Sequence, residues 1–402
     1  MIVLSGADLV LPDRIVSPGT LVIDGGRIVD IRSGATSAGH SHPLFAFHNH
    51  FVVPGFIDVH VHGVEGVDVL DAGDAVATLA ARLPSYGVTA FCPTTVACRP
   101  DALRRTLDQV RRLRAAPSGR AAQVLPAHLE SNFINPEYRG AQPLQCLRSP
   151  AEAGRHVRDQ PPVPESFTAD DILREIERAA PDVGIVTMAP ELDGGLELVR
   201  WLKARGHRVS LGHSCASYDE ALAAIALGAS HATHLFNRMP PFEHRAPGLV
   251  GAILQTDEVA AELICDGFHV HPAAIRTAIA AKRPSRVLAI TDGTAASGLP
   301  VGARATLGGQ PITVGESAAF LDDGTLAGSV TTMDRVFQVL VGRVGLSPVD
   351  AVTLCATTPA RELGLVGHGV LAVGAAADLV VLDAQLGVVQ TYVAGELAYP
   401  RT

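Results

Sequence analysis

The stretch that decides the fold is Pro54-Gly55-Phe56-Ile57-Asp58-Val59-His60-Val61-His62-Gly63. Its segment Phe56–Val61 alternates as a β-strand does, and a strand directs residues i and i+2 to the same face. His60 and His62 therefore project side by side, close enough for two imidazoles to hold one cation. The alternative interpretation is a pair of histidines that only fills a core. If the pair binds a metal, the remaining ligands must come from elsewhere in the chain.

After this stretch the sequence alternates strand-like and helical patterns. Eight strands alternating with helices is the count of a TIM (β/α)8 barrel, and a doubly wound open sheet is the alternative. We therefore predict an α/β fold with a TIM barrel at its centre. The strand-like runs are Phe56–His62, Val88–Thr94, Gln123–Glu130, Val183–Pro190, His207–His213, Ser230–Phe236, Ala261–His269 and Val287–Asp292. The helical patterns are Ala72–Tyr86, Asp101–Ala115, Thr168–Ala180, Gly195–Arg205, Tyr218–Leu227 and Pro272–Lys282.

Both ends of the chain carry short β-type runs separated by turn residues. We expect the two ends to meet in one small β-sandwich domain, formed by residues 1–53 and 367–402, beside a barrel domain of residues 54–366. Residues 149–167, which contain several prolines and charges, are expected to form a surface loop. The β-type runs are Ile2–Leu4, Asp8–Leu11, Thr20–Ile23, Arg27–Ile31, Ala377–Asp383 and Val388–Val393, with turns at Ser17-Pro18-Gly19 and Asp24-Gly25-Gly26.

Composition argues against several classes of function. A net charge of −9 without a basic stripe argues against a nucleic-acid partner. No apolar run approaches the roughly 18 residues of a membrane span, and the N-terminus lacks the basic region of a signal peptide. The six cysteines include no C-x-x-C pair and are interpreted as buried apolar residues in a reducing compartment. We therefore expect a cytoplasmic protein with a small-molecule partner, and no membrane partner.

Five predicted strands end in an imidazole or a carboxylate. A barrel places its functional groups at the carboxyl ends of its strands, so these side chains are expected to converge. Any one of them could be a packing accident, but five together indicate a site. His128 shares a strand face with one of them and is interpreted either as support for a ligand or as a core residue. The strand-end residues are His60 and His62, Glu130, His213, His234 and Asp292.

The motifs at these strand ends resemble the amidohydrolase superfamily, and in particular its family of N-acetylglucosamine-6-phosphate deacetylases. Their order and spacing match that family over essentially the whole chain. The resemblance implies hydrolysis of the N-acetyl group of N-acetylglucosamine 6-phosphate, which gives glucosamine 6-phosphate and acetate. The motifs that carry it are Pro54–Gly63, His128-Leu129-Glu130, Gly212-His213-Ser214, Ala232-Thr233-His234-Leu235-Phe236-Asn237, Asp266-Gly267-Phe268-His269, Thr291-Asp292 and Ala377-Asp378-Leu379-Val380.

The resemblance also implies the cofactor and the catalytic residue. One or two divalent ions per subunit, zinc or iron, are implied. Asp292 would take a proton from water and later deliver it to the departing amine; a strand-end cap or a further metal ligand is the alternative for this residue. The implied ligands are Glu130, His213 and His234 for one ion, and His60, His62 and the shared Glu130 for the second.

Substrate-binding residues follow from the same resemblance. Arg245 is implied to reach the neighbouring subunit's site and to bind phosphate through its planar guanidinium, so we expect a homodimer. Asn237 and Arg238 would contribute donors mainly through their backbone N–H groups. The implied substrate is a phosphorylated N-acetyl amino sugar. The complete set of implied substrate-binding residues is Gln142, Asn237, Arg238, Arg245 and His269.

Three departures from the family pattern keep other substrates open. Ser131-Asn132 replaces the usual Gly-Pro, Gln142 stands where a histidine is frequent, and Arg238 stands where a small residue is common. The implied metal ligands are untouched, so a deacetylase of N-acetylgalactosamine 6-phosphate fits equally well. Another amidohydrolase, acting on N-acyl amino acids or cyclic amides, would often use a strand-end lysine, and none is evident. A barrel that has lost catalysis and serves as a scaffold usually shows eroded ligands.

Overall fold

The computed structural model describes residues 1–36, 43–153 and 166–400, so residues 154–165 of the predicted loop 149–167 lie outside the described residues. The N-terminal strands are longer than predicted, because Gly6, at φ +86°, and register shifts near it let one strand span two predicted runs. The predicted turn at Ser17-Pro18-Gly19 is wrong, since this segment lies within the second strand. The strands are β1 (Ile2–Val10), β2 (Ile15–Asp24), β3 (Arg27–Ser33), β4 (Leu44–Ala46) and β5 (Phe51–Pro54).

The central part of the chain is a parallel barrel, as predicted. Its eight strands pair in sequence order, β6-β9-β11-β12-β13-β14-β15-β16. Backbone hydrogen bonds join the end of the last strand to the end of the first: the N–H groups of His62 and Gly63 donate to the Gly293 carbonyl at 2.7 and 3.0 Å, and the Asp292 N–H donates to the His60 carbonyl at 3.0 Å. This closure excludes the open-sheet alternative. The strands are β6 (Phe56–Val61), β7 (Gly63–Val64), β8 (Val67–Asp68), β9 (Val88–Thr95), β10 (Gln123–Val124), β11 (Ala127–Glu130), β12 (Val183–Met188), β13 (Arg208–Leu211), β14 (Ala229–Ala232), β15 (Ala260–Ile264) and β16 (Val287–Ile290).

All six predicted helices are present, with ends that differ by a few residues. Gly248–Gln255 was not predicted as a helix, because its sequence Gly-Leu-Val-Gly-Ala-Ile-Leu-Gln has no charged face and no side-chain cap. The helices near the C-terminus were also missed. The helices are α1 (Ala75–Arg82), α2 (Pro100–Ala115), α3 (Ala169–Arg178), α4 (Gly195–Ala204), α5 (Tyr218–Ala226), α6 (Gly248–Gln255), α7 (Pro272–Lys282), α8 (Met333–Val339), α9 (Pro348–Val352) and α10 (Thr358–Glu362).

A four-stranded antiparallel sheet follows the last barrel strand and was not predicted. It is anchored to the barrel side by the Gly308 N–H, which donates to Asp68 Oδ2 at 2.9 Å. Leu307, Leu326 and Gly328 of this sheet and its turns line the main cavity described below. The sheet therefore contributes one wall of that cavity. Its strands are β17 (Arg304–Leu307), β18 (Gln310–Val314), β19 (Ala318–Leu321) and β20 (Leu326–Ser329).

The terminal parts of the chain meet in one β-sheet separate from the barrel, as predicted. Residues Leu379–Leu382 pair antiparallel with Phe51–Pro54, which brings the C-terminal strands onto the N-terminal ones. The strands form one hydrogen-bonded sheet in the order β23-β22-β21-β5-β1-β2-β3, with β4 paired to β1. None of the helices in the described residues has the length and apolar character to cross a membrane. The last strands are β21 (Leu379–Leu382), β22 (Val388–Val393) and β23 (Glu396–Tyr399).

Candidate metal centre

Three predicted ligands converge at the carboxyl ends of three barrel strands. Glu130 is the last residue of β11, His213 lies two residues beyond β13, and His234 lies two residues beyond β14. Oε1 of Glu130 is 2.9 Å from Nε2 of His213 and 2.9 Å from Nε2 of His234. The two Nε2 atoms are 3.0 Å apart. Three ligand atoms from distant parts of the sequence therefore face one point.

A second cluster lies beside the first. Nε2 of His60 and Nε2 of His62 are 3.2 Å apart, and Oδ1 of Asp292 is 3.3 Å from each of them. Glu130 lies between the two clusters, because its Oε1 is 3.7 Å from His60 Nε2 and its Oε2 is 3.6 Å from His62 Nε2. The proximity of His60 and His62 agrees with their spacing on one strand, and Glu130 lies where the resemblance implies a shared ligand. Asp292 belongs to the second cluster as well.

Several of these residues have an unusual backbone. His213, His234 and Asp292 have φ angles of +48°, +29° and +49°. This left-handed region is uncommon for residues other than glycine, and such conformations persist only where the surrounding structure holds them. Strained backbones of this kind concentrate at functional sites. The strand ends therefore combine the candidate ligands with the local geometry that is typical of a site.

The residues fit a divalent cation at each cluster. Zinc ligands at about 2.0–2.2 Å in a tetrahedral arrangement would lie roughly 3.3 Å from one another. The separations within the clusters are 2.9 to 3.3 Å. All six side chains are buried, and imidazole nitrogens with carboxylate oxygens are a donor set that suits zinc or iron. Both the spacing and the chemistry of the donors are those of metal sites.

The electrostatics of the clusters favour a cation. Burial raises the pKa of Glu130, but His213 and His234 outweigh it and hold that pKa well below its usual range. Burial also raises the pKa of Asp292, and the hydrogen bond from His62 and the charge of His60 bring it below its usual value. Burial lowers the pKa of His60, whereas Glu262, Asp292 and Glu130 raise it to about 10. Ionised carboxylates thus surround the imidazoles, and their negative potential attracts positive charge.

One buried carboxylate at the site was missed by sequence reasoning. Glu262 lies in the middle of β15, fully buried, and accepts hydrogen bonds at 2.9 Å from His60 Nδ1 and from His231 Nε2. Attention to strand ends alone overlooks a residue in mid-strand. The available signal was a carboxylate inside an otherwise apolar run, because such a group is buried only when it has partners.

His128 stands behind the metal clusters rather than in them. Its Nδ1 donates to the Val59 carbonyl at 3.0 Å, and its Nε2 lies 2.8 Å from Thr187 Oγ1. Burial lowers the pKa of His128 to about 3, so the ring is neutral at physiological pH. Its ring packs edge-on against His60, with centroids 4.6 Å apart. His128 therefore packs against a candidate ligand, and the lone pair of its Nε2 is engaged by the Thr187 hydroxyl.

A cavity of about 420 Å³ opens onto both clusters. Two of the polar side chains that line the cavity are the arginines Arg139 and Arg238. Arg139 was not predicted from the sequence. Four predicted substrate-binding residues line the cavity, whereas Arg245 is exposed and is not among the lining residues that the structure describes. The lining side chains that bear on chemistry are His62, Glu130, His213, His234 and Asp292, then Arg139, Gln142, Asn237, Arg238 and His269, and the apolar Val96, Met239, Ile264, Leu307 and Leu326.

Gln142 and His269 are held in contrasting ways. Gln142 donates from Nε2 to Oε2 of Glu130, and its Oε1 accepts from the Ala97 N–H at 2.7 Å. Both ends of its amide are therefore engaged within the protein. His269 donates from Nδ1 to Asp266 Oδ2 at 2.6 Å, while its buried Nε2 has no hydrogen-bond partner among the described residues. A buried polar atom without a partner on a cavity wall is suited to a bound ligand.

The fold and the site define the class of the protein. The chain belongs to the amidohydrolase family, whose model matches residues 51–398. The chain is 33% identical to the N-acetylglucosamine-6-phosphate deacetylase of Bacillus subtilis (strain 168) over 395 residues, which cover 97% of this chain and 95% of the relative. It is 35% identical to the N-acetylgalactosamine-6-phosphate deacetylase of Escherichia coli O157:H7 over 347 residues, which cover 86% and 87% of the two chains.

A solved structure supports the same relationship. A variant of the N-acetyl-D-glucosamine-6-phosphate deacetylase of Mycobacterium smegmatis, in complex with N-acetyl-D-glucosamine-6-phosphate, matches with a TM-score of 0.85 at 33% identity and 99% coverage of both chains. The resemblance to the N-acetylglucosamine-6-phosphate deacetylases that the sequence predicts is thereby confirmed.

Proposed function

We propose that this protein is a metal-dependent deacetylase that hydrolyses N-acetylglucosamine 6-phosphate to glucosamine 6-phosphate and acetate. The observation that carries the proposal is the convergence of Glu130, His213, His234 and Asp292 on one cavity. The similarity to deacetylases over nearly the whole chain supports the same reaction. Neither an N-acyl amino acid nor a scaffold role has a comparable observation in its favour.

The proposed cofactor is zinc or iron, with one or two ions per chain. Glu130, His213 and His234 would hold the first ion, and His60 and His62 would hold the second with Glu130 shared. When bound, such an ion lowers the pKa of water and polarises a carbonyl group. Oε1 of Glu130 lies 2.9 Å from His213 Nε2 in the first cluster, and Oε2 lies 3.6 Å from His62 Nε2 in the second, which supports the shared role.

Asp292 is the proposed base and acid. Its carboxylate is ionised, because the pKa of Asp292 is held below its usual value by His62 and His60 despite burial. It can therefore accept a proton from the water that attacks the acetyl carbonyl. The C–N bond then breaks as the same proton passes from Asp292 to the sugar nitrogen, which leaves as an amine. The acetyl group leaves as acetic acid with the oxygen of the water, and it releases the second proton of that water to the solvent to become acetate. An amine leaves poorly without this proton, so an acid within reach of the nitrogen is required.

Arg139 and Arg238 are proposed to bind the phosphate within the same chain. The Arg238 side chain lies between two walls of the cavity: its Nη2 donates to the Leu326 carbonyl at 3.4 Å, and its Nε packs so closely on Gly140 that a Cβ there would come within 2.6 Å. A guanidinium in this position offers the planar fork that matches a phosphate. The exposed Arg245 would act on the neighbouring subunit of a proposed homodimer.

Asn237 and His269 are proposed to contact the sugar. Asn237 lines the cavity, and the one hydrogen bond that its Nδ2 makes among the described residues is a long 3.4 Å contact to the His234 carbonyl. The unpartnered Nε2 of His269 can bond a sugar hydroxyl. Gln142 is proposed to act through Glu130, which its amide contacts.

N-acetylgalactosamine 6-phosphate is the second candidate substrate. Two cavity residues, Gln142 and Arg238, depart from the family pattern, and one relative of similar identity is named as a deacetylase of the galactose epimer. The two sugars differ only in the orientation of one hydroxyl group, so cavity-wall side chains decide between them. The same metal clusters would serve either substrate.

The proposed organisation of the chain follows the sequence prediction. Residues 1–53 and 367–402 form the small β domain, and residues 54–366 form the barrel. A cytoplasmic location is supported by the cysteines, none of which is paired and most of which are buried. The homodimer is tested by light scattering coupled to size-exclusion chromatography.

Acetate release from a panel of sugars tests the function. The panel contains N-acetylglucosamine and N-acetylgalactosamine, each with and without the 6-phosphate, and an N-acyl amino acid, on protein of measured metal content. We expect the highest kcat/KM for N-acetylglucosamine 6-phosphate. A preference for the galactose epimer would select the second candidate, and activity only on N-acyl amino acids would refute both.

A further inference from the structure

Glu262 is a fully buried carboxylate that contacts both metal clusters. Its Oε2 accepts from His60 Nδ1 at 2.9 Å, and its Oε1 accepts from His231 Nε2 at 2.9 Å. The backbone N–H of His234 also donates to Oε2, at 3.3 Å. Burying a carboxylate costs several kcal/mol unless it is bonded and compensated by positive charge. The complete burial of the Glu262 carboxylate therefore has to be explained by what this group does.

The hydrogen bond from His60 fixes the chemistry of its ring. When Nδ1 carries the proton that points to Glu262, Nε2 keeps the lone pair that a metal requires. Nε2 is also the atom that faces the second cluster, 3.2 Å from His62 Nε2 and 3.3 Å from Asp292 Oδ1. Glu262 thus holds the ring of His60 both in the tautomer and in the orientation of a ligand.

Two of the other ligand histidines are held by backbone carbonyls, and Nδ1 of His234 has no hydrogen-bond partner among the described residues. Nδ1 of His62 lies 3.0 Å from the Thr94 carbonyl, and Nδ1 of His213 lies 2.7 Å from the Tyr138 carbonyl. Backbone carbonyls are neutral and cannot be changed by substitution. Glu262 supplies a charged side chain in the equivalent position for His60, and a carboxylate partner raises the basicity of a ligating imidazole. The geometry of the second cluster therefore depends on the side chain of Glu262, which a substitution can remove.

We propose that Glu262 is the positioning residue that makes His60 a metal ligand, and that it decides whether the second cation position, at His60 and His62, is filled. This inference rests on the proposed metal centre. Its tests measure metal binding and the state of the His60 ring, so its failure would leave the deacetylase reaction untouched.

Zinc titration of metal-stripped protein provides the first test. Wild type is compared with Glu262→Met, His60→Ala and His213→Ala by isothermal titration calorimetry and by metal analysis after desalting. His60→Ala should lose zinc binding at the second cluster, and His213→Ala should lose it at the first. We expect Glu262→Met to bind zinc at the second cluster with an affinity at least about tenfold lower than wild type. Zinc binding at the first cluster should remain in this variant.

Three results would overturn the proposal. Glu262→Met could bind zinc as wild type does, His60→Ala could lose no zinc, or Glu262→Met could lose both events while remaining folded by circular dichroism. Should Glu262→Met not fold, Glu262→Gln keeps the shape and removes the charge, and it should weaken the same event. Wild-type binding in that variant would overturn the proposal as well.

A spectroscopic test separates positioning from a general structural role. In the zinc-loaded wild type, the His60 Nδ1 proton should give a hydrogen-bonded imidazole resonance by NMR, and Glu262→Met should abolish it. The matched control is His231→Phe, which removes the other histidine bonded to Glu262 and leaves the His60 contact in place. We expect this control to keep both the resonance and the zinc event. Equal loss in the control would mean that the network only supports the fold.

Discussion

Oδ1 of Asp292 lies 3.3 Å from Nε2 of His62, and the backbone N–H of Asp292 donates to the His60 carbonyl at 3.0 Å. The same residue therefore joins the last barrel strand to the first and presents a carboxylate to the second metal cluster. Closure of the barrel sets the position of the proposed base. A side chain placed by a rigid backbone seam needs little rearrangement during the reaction.

Asp292→Asn should abolish turnover without removing the first metal site. An asparagine cannot accept and return the proton, so kcat should fall by about 10²–10⁴-fold. Glu130, His213 and His234 do not depend on Asp292 for their mutual contacts, so zinc at that cluster should remain. Steady-state kinetics and metal analysis on the same sample check both statements. Full activity in this variant would remove Asp292 from the mechanism.

Arg238→Ala should weaken binding of phosphorylated sugars selectively. Loss of a charge-assisted hydrogen bond costs about 1.5–3 kcal/mol, which corresponds to roughly a 10- to 100-fold rise in KM for the 6-phosphate. Arg245→Ala should act in the same direction if the neighbouring subunit completes the site. Arg200→Ala, on the exposed surface of α4, is the control. An equal effect of Arg238→Ala on sugars with and without phosphate would show that this residue does not bind the phosphate.

Gln142→Ala should reduce metal affinity rather than substrate affinity. Gln142 donates to Oε2 of Glu130 and is itself held by the Ala97 N–H. Removing a partner of a metal ligand typically lowers affinity 10- to 100-fold. Zinc competition with a chromophoric chelator measures this change. A normal zinc affinity combined with a raised KM would instead indicate direct contact between Gln142 and the sugar.

The buried Lys282 should make the free energy of unfolding depend on pH, independently of the candidate metal centre. This side chain at the end of α7 is buried and donates to the Thr256 carbonyl. Burial lowers the pKa of Lys282 from 10.5 to about 8. Between these two values the unfolded chain binds more protons than the folded one, so the free energy of unfolding gains a contribution that rises with pH.

Lys282→Met should lack that contribution. Urea unfolding at pH 7.5 and 9.5 should show wild type gaining stability relative to Lys282→Met as the pH rises. Lys203→Met, at an exposed position of α4, is the matched substitution. Parallel behaviour of wild type and Lys282→Met would contradict the prediction.

The barrel could be predicted from sequence because its strands are buried, apolar and regularly spaced. The meeting of the candidate ligands could be predicted for a related reason: parallel strands end at one face, so residues such as Glu130 and His234 meet although they are distant in sequence. Arg238 was expected to contribute mainly its backbone N–H, whereas its side chain crosses between two cavity walls. That placement depends on the sheet β17–β20, whose short strands carry little periodic signal.

Other features were missed because they depend on tertiary contacts. Glu262 lies in mid-strand, and only the meeting of three strands shows that it bonds both His60 and His231. The Ser17-Pro18-Gly19 segment has the composition of a turn, but pairing on both sides keeps it within β2. The local amino-acid composition predicts neither the hydrogen bonds of Glu262 nor the strand pairing on both sides of β2.

Anomalous diffraction from a zinc-loaded crystal tests the central claim most directly. The first cluster should show a peak within about 2.0–2.2 Å of Oε1 of Glu130 and of Nε2 of His213 and His234. A fully loaded crystal with no peak there, or with zinc bound only elsewhere, would contradict the claim that these side chains converge to bind a catalytic cation.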